Sequence, residues 1–242
     1  MAITIDRASP LPLRYQLKQH LLEKIESGEW QPNDLIPSEQ ELQDLFGISR
    51  ITVRQALGDL VNEGLLIRER GRGTFVAPPK MTHSPEARHS LTEFMLEKGI
   101  RPGWQVLEQN FTSANRETAA QLNLPTNSRV YRIHRLRLAN DEPIGHHVAF
   151  LTESLAGQIR QELLTEGGSL NYIGHLPQIQ NSRATRTIEA VAATELDSRL
   201  LHMSPGAPVL MIQRVVKSAS GEALEFLQAR YRGDRFKYQL GD

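Results

Sequence analysis

The side chains in this sequence that could do chemistry are chiefly arginines, and they fall into two groups. In the first, Arg50, Thr52 and Arg54 lie close together, and Arg68, Arg70 and Arg72 follow at every second position beside Gly71 and Gly73. Guanidinium groups hydrogen-bond guanine edges in pairs and phosphates as charges, so this cluster suits the groove of a duplex. In the second group, Arg135-Leu136-Arg137 places two guanidiniums on one face of a strand, because residues i and i+2 share a face. Two cations on one side can clamp an oxyanion bidentately. Gly167-Gly168-Ser169 offers backbone N–H groups and a hydroxyl to complete an anion nest, while Glu225 and Tyr231 add an acceptor and an aromatic hydroxyl. Any one of these arginines is equally compatible with a solvated surface, and Tyr231 with a core position.

The elements that must hold these groups follow from periodicity. Leu13, Leu17, Leu21 and Ile25, then Leu42, Leu45 and Phe46, then Val53, Ala56, Leu57, Leu60 and Val61 recur at helical spacing. Gly28 and Pro32 end the first helix, and Ser38 with Glu41 three residues later makes a capping box for the second. Gly47 stops that helix and Ser49 caps the third, whose N-terminal residues Arg50, Thr52 and Arg54 are set to enter a major groove. Leu65 to Arg70 and Thr74 to Val76, joined through Gly71-Arg72-Gly73, read as a hairpin.

Ala77-Pro78-Pro79-Lys80, continuing to Pro85, suits a stiff extended connection. The expected division is therefore 1–77, a linker over 78–86, and a second domain over 87–242. In that second domain strands dominate: Val130 to Leu138, a turn at Asn140-Asp141-Glu142-Pro143, Ile144 to Leu151, Val209 to Val216, and Ala223 to Tyr231. Helical patches fit near 115–123, 154–165 and 193–201. Antiparallel hairpins with interspersed helices predict an α+β fold, not a doubly wound one.

Composition narrows the classes. The 242 residues carry 28 Lys plus Arg against 28 Asp plus Glu and no cysteine. A disulfide framework, a thiolate nucleophile and Cys-rich metal sites are excluded. No run reaches about 18 apolar residues, and charges interrupt the first thirty, so the expectation is a cytoplasmic protein without a membrane anchor. Neutrality means that a polyanion must be engaged locally: residues 1–76 hold nine Lys and Arg against eleven Asp and Glu, with the arginines gathered on the third helix and hairpin. Adjacent His146 and His147 face opposite sides of a strand, and no metal-ligand spacing, phosphate-binding loop or catalytic triad stands out. Neither a metal nor a cofactor is expected.

The ordered motifs Pro37-Ser38-Glu39, Gly47-Ile48-Ser49-Arg50, Thr52-Val53-Arg54-Gln55-Ala56-Leu57, Glu63-Gly64-Leu65 and Gly71-Arg72-Gly73-Thr74-Phe75-Val76 resemble the winged helix-turn-helix of the GntR family of bacterial transcription regulators. The resemblance covers roughly residues 10–77. It implies base and phosphate contacts by Arg50, Thr52 and Arg54, with Ser38, Gln40 and Ser49 alongside and Arg70, Arg72 and Gly73 at the wing. Gln40 stands where many members have arginine, so it supplies a hydrogen bond without charge.

Residues 85–240 resemble the effector-binding domain of the HutC subfamily, the UTRA domain, whose antiparallel-sheet α+β fold is similar to chorismate lyase. The segments that carry it are Leu91-Thr92-Glu93-Phe94, Arg135-Leu136-Arg137 with Asp141-Glu142-Pro143-Ile144, Pro205-Gly206-Ala207-Pro208, and Leu224-Glu225-Phe226 with Tyr231-Arg232-Gly233-Asp234. Members that bind amino-sugar phosphates imply Arg135 and Arg137 at the phosphate, Ser169 nearby, and Glu225 and Tyr231 on the sugar. Ser90, His147 and Tyr172 complete that effector set. His147 stands where such members commonly have glutamate, which opens the site to other anionic metabolites. The reading is a non-enzymatic repressor that binds palindromic double-stranded operator DNA as a homodimer and is released by an anionic small molecule. Two rivals stay open: an enzyme acting on an anionic substrate, and a DNA-binding module whose second domain only dimerises.

Overall fold

In a computed structural model that describes residues 5–69, 71–83 and 90–239, Leu13–Glu26 forms α1, Glu39–Phe46 α2 and Arg50–Asn62 α3. Local chemistry sets their ends. Ser38 Oγ accepts a hydrogen bond from the Glu41 N–H, and the Glu41 carboxylate accepts one from the Ser38 N–H at 2.7 Å. Gly47, at φ 61°, supplies the left-handed residue that stops α2. Ser49 Oγ then accepts from the Thr52 N–H and opens α3. The apolar stripe of α3, Val53, Ala56, Leu57 and Leu60, is buried in one cluster with Leu17, Leu21 and Leu42.

Leu66–Glu69 (β1) and Gly73–Val76 (β2) pair antiparallel, with Leu66 opposite Val76. Gly73 has φ 127°, and a Cβ there would lie 2.6 Å from Leu35 Cδ1, so glycine is required at this end of the hairpin. Ile36 donates to the Thr74 carbonyl and Val76 to that of Asp34, both at 2.9 Å, which fixes the hairpin to the strand-like segment before α2. Three helices and a winged hairpin result.

The chain divides into two compact units, Met1–Met81 and Thr82–Asp242. The segment 78–86 read as linker contains a short strand, Met81–His83 (β3), which pairs with the last strand of the chain. Met-Thr-His has no proline, so its backbone can pair where the preceding Pro78-Pro79 cannot. Residues 84–86 lie outside the described residues.

The second unit contains helices α4 (Leu91–Glu97), α5 (Arg116–Gln121), α6 (Glu153–Ala156), α7 (Pro177–Gln180) and α8 (Glu195–Leu201). Its strands are β4 (Pro102–Ser113), β5 (Arg129–Ala139), β6 (Glu142–Thr152), β7 (Arg183–Ala192), β8 (Pro208–Lys217), β9 (Ala223–Arg232) and β10 (Phe236–Tyr238). Six of these strands build one antiparallel sheet in the order β4-β5-β6-β9-β8-β7, and β10 pairs with β3. The fold is α+β. Asn140 and Asp141, at φ 50° and 66°, make the tight β5–β6 turn. The helix read over 154–165 is cut short: Gly157 ends α6, and only a 3-10 turn follows at Gln161–Leu164.

Register decides which side chains meet. One row across the sheet runs Trp104, Arg137, Gly145, Tyr231 and Leu210; the next runs Val106, Arg135, His147, Ala229 and Ile212. Both rows lie on one face. The opposite face carries Phe150 stacked on Phe226 over Ala119 and Leu122 of the α5 segment. Gly145 is required in the first row, because a Cβ would come within 2.6 Å of the Tyr231 ring and 2.8 Å of the Arg230 carbonyl. Gly145→Ala is expected to destabilise the second unit by about 1–3 kcal/mol through overpacking, read as a lower denaturant midpoint with unchanged slope.

Candidate functional site

On the first sheet face a cavity of about 470 Å³ opens among β4, β5, β6, β8, β9 and the segments 90–93 and 168–174. Ser90, Arg137, His147, Ser169 and Tyr231 line it, together with Trp104 and Arg214. Arg135, Tyr172 and Glu225 form a fully buried layer that holds this lining and does not itself line the cavity. Arg135 donates to the carbonyls of Leu164 at 2.9 Å and Ser169 at 2.7 Å, and its guanidinium stacks between Trp104 at 4.2 Å and Tyr172 at 4.6 Å. Glu225 accepts from the Tyr172 hydroxyl at 2.5 Å and from Arg214 at 2.7 Å. Arg214 reaches Ser169 Oγ at 2.8 Å with its other terminal nitrogen.

Arg137 differs from these. Its side chain is 1% exposed and lies over Trp104 at 4.4 Å, yet among the described residues it has no carboxylate partner. Nη2 donates to Thr92 Oγ1 at 2.8 Å and to Met95 Sδ at 3.5 Å, while among the described residues Nε and Nη1 have no hydrogen-bond partner. Burial pushes its pKa down to about 10, with Arg135 adding to the fall, so the guanidinium remains charged at neutral pH. Arg214 Nε and His147 Nδ1 are likewise unpartnered. Among the described residues, three buried guanidiniums on this sheet face, Arg135, Arg137 and Arg214, thus share one buried carboxylate, Glu225. Buried donors left unpaired cost free energy that a bound acceptor can recover.

His147 Nε2 and the Tyr231 hydroxyl are 2.7 Å apart. Burial, followed by Arg135, Arg214 and Arg137, holds the imidazole well below its usual range, and burial pushes the Tyr231 phenol up to about 12. The pair is moved away from neutral pH on both sides, which suits hydrogen bonding to a ligand rather than acid–base exchange. His146, on the other face, meets His134 at 3.1 Å and Asp197 at 2.8 Å. Arg230 completes that network with two 2.8 Å bonds to Asp197. Among the described residues no three His, Cys, Asp or Glu side chains group as a metal site requires.

Around α3 in the first unit, Arg50 and Arg54 are exposed, as is Ile51 between them. Ser49 and Thr52 share a 2.9 Å hydroxyl contact at the helix start. Exposed Gln40 donates to Asp44 at 3.0 Å, and exposed Ser38 is engaged in its capping box. Arg72 pairs with Glu69 and lies 5.5 Å from the Phe75 ring, next to Gly73. Arg70 is outside the described residues. Arg214, Trp104 and Thr92 were missed by the sequence reading. A lone arginine among Leu210, Met211, Ile212, Val215 and Val216 was the available signal for the first.

Residues 13–76 match the family described as "Bacterial regulatory proteins, gntR family", and residues 97–237 match the UTRA domain. The chain belongs to the GntR family. Its pairing of a GntR reading head with a UTRA domain is that of the HutC subfamily. Over 236 residues this GntR-family chain is 39% identical to the HTH-type transcriptional repressor NagR of Bacillus subtilis, covering 98% of the chain and 97% of that protein. It is 30% identical to the histidine utilization repressor of Klebsiella aerogenes over 96% of the chain and 95% of that protein. The fold is shared with PhnF from Mycobacterium smegmatis, at a TM-score of 0.60 and 22% identity, over 95% of this chain and 98% of that one. No helix among the described residues is long and apolar enough to cross a membrane.

The histidine network sets a pH dependence. Burial, then His146, pushes His134 down to about 4 from 6.5, and burial also lowers His146. Between these pH values the unfolded chain takes up protons that the folded one refuses, so stability falls as pH drops from about 6.5 to 4. Asp197 is held below its usual range of 3.8 despite burial, by Arg230 and Thr194, so its contribution is lost only at still lower pH. His134→Gln should flatten the urea-midpoint profile between pH 6.5 and 4; an unchanged slope would remove His134 from this role.

Proposed function

We propose that this GntR-family chain is a transcriptional repressor that binds a palindromic operator as a homodimer in the cytoplasm and is released by an anionic small molecule held in the second domain. On this reading residues 1–77 are the reading head, 78–86 the connection and 87–242 the effector-binding and dimerising part. Arg50, Thr52 and Arg54 on α3 enter the major groove, Ser38, Gln40 and Ser49 contact phosphates, and Arg70, Arg72 and Gly73 approach the minor groove. Half-sites then lie about 34 Å or a multiple apart. Similarity along almost the whole chain to two proteins named as repressors supports the sign of regulation.

The observation that carries the ligand-responsive part is Arg137: a buried, charged guanidinium with two unpartnered N–H groups on a cavity wall. A dianionic group such as a phosphate monoester would balance the excess of two buried cations and satisfy those donors. Arg137 and Ser169 hold the anion, Ser90 lies beside it, and His147 with Tyr231 bonds the ligand's hydroxyl groups. Arg135, Tyr172 and Glu225 set the positions of Ser169 and Arg214 from behind. Release requires the ligand to bind one arrangement of the reading heads better than the other.

At fixed salt, a panel of sugar phosphates titrated onto the operator complex should contain a member that releases the DNA and changes Trp104 fluorescence. If none does either, the anionic-effector reading fails. Arg137→Met should abolish the response yet raise thermal stability by about 1 kcal/mol, because an unpaired buried charge is removed at the cost of its contact with Trp104. Lower stability with a retained response would contradict the role given to Arg137. Arg54→Ala should cost about 1–3 kcal/mol of operator affinity, and a loss of the same size on unrelated duplex would show that Arg54 reads no base.

A further inference from the structure

Glu39, the first residue of α2, extends its carboxylate into the space between α3 and the wing, where three arginines meet it. Arg50 Nε is 3.4 Å from one oxygen; Arg68 Nη2 and Arg54 Nε are 3.5 and 3.9 Å from the other. Arg50 and Arg54 are one turn apart on α3, where like charges repel, and Arg68 arrives from β1. The carboxylate is 28% exposed, whereas Arg50 and Arg54 are 70% and 61% exposed, so the anion lies beneath the cations and the guanidinium faces remain open to solvent.

We infer that Glu39 is a positioning residue for DNA recognition: it gathers Arg50, Arg54 and Arg68 into one pre-ordered cluster and lowers that cluster's pull on any duplex that does not offer matching base edges. The inference rests on the operator-binding reading above. Two consequences follow from charge. Three long side chains tethered to one carboxylate lose rotamer freedom before DNA arrives, so less is lost on binding. The cluster also carries a net charge of two rather than three, so a random duplex, held by phosphates alone, gains less than an operator that takes bidentate bonds from oriented guanidiniums. Arg68 thereby joins the recognition surface, although on sequence it stood only as one hairpin cation among three.

The test compares the wild-type chain with Glu39→Gln and Glu39→Asp on two duplexes: one enriched by the wild-type chain from a randomised pool, and one of scrambled sequence. Glu39→Gln should bind the scrambled duplex 3- to 10-fold tighter, with a log–log salt slope steeper by about one. Its preference for the enriched duplex should fall about tenfold. Glu39→Asp, which retains the charge, should keep the wild-type slope. A merely structural role at the start of α2 would lower the melting temperature of both variants and leave the slope unchanged, and that result overturns the inference. Unchanged preference and slope in folded Glu39→Gln overturn it equally. If the wild-type chain enriches no sequence at all, the operator-binding reading itself fails and the inference goes with it.

Discussion

Burying guanidinium charge beneath a β-sheet is the constraint around which the second unit is organised. Arg135, Arg137 and Arg214 are each at most 8% exposed, and each is stabilised in a different way. Arg214 takes the carboxylate buried on this sheet face, Glu225. Arg135 is stabilised by two carbonyls and two aromatic faces. Arg137 receives one hydroxyl, one thioether and one indole and is otherwise left short of acceptors. The surrounding structure reads as the means of keeping such groups in place: Gly145 admits the Tyr231 ring beside Arg137, Trp104 lies against two guanidiniums at once, and the Gly167 carbonyl accepts from both Thr92 and Trp104. A sheet of ordinary apolar rows would be more stable and would have nothing with which to hold an anion.

The first unit handles the same residue type in the opposite way. Its arginines are exposed, their desolvation cost is small, and the difficulty is instead mutual repulsion and freedom of movement. One carboxylate answers both. Zero overall charge in a chain that belongs to a regulator family is compatible with this, because the exposed arginines of α3 and β1 are gathered locally while acids on α1 and α2 offset them elsewhere. Attraction to nucleic acid in such a chain must come from local arrangement rather than from total charge.

What could be read in advance divides along the range of the interactions. The three helices of the first unit were legible because their limits are local: Ser38 with Glu41, Gly47 and Ser49 act within four residues of where they stand. The shared face of Arg135 and Arg137 was legible for the same reason, since strand geometry alone sets it. The layering of the site was not. Sequence spacing does not separate Glu225 from Tyr231, but Tyr231 lines the cavity while Glu225 lies behind it, tied to Arg214 and Tyr172. That difference depends on β8 lying beside β9 and on a turn 53 positions away in the chain, neither of which periodicity reports. The part played by Glu39 is equally invisible to spacing, because its three partners come from two other elements.

Strand β6 links the two polar systems of the second unit. His147 faces the cavity and bonds Tyr231; His146, the next residue, faces away and bonds Asp197 on α8. A ligand that engages His147 acts on a strand that the Asp197 network grips from the other side. That network has five bonds within 3.1 Å joining β5, β6, β7, β9 and α8: His134 to His146, His146 to Asp197, Arg230 twice to Asp197, and Arg230 to the Ala192 carbonyl. It can either resist a shift of that strand or pass it on as a movement of α8. Packed interiors favour discrete alternatives over gradual deformation, and here a polar network lies directly behind the cavity wall, one residue along β6 from His147.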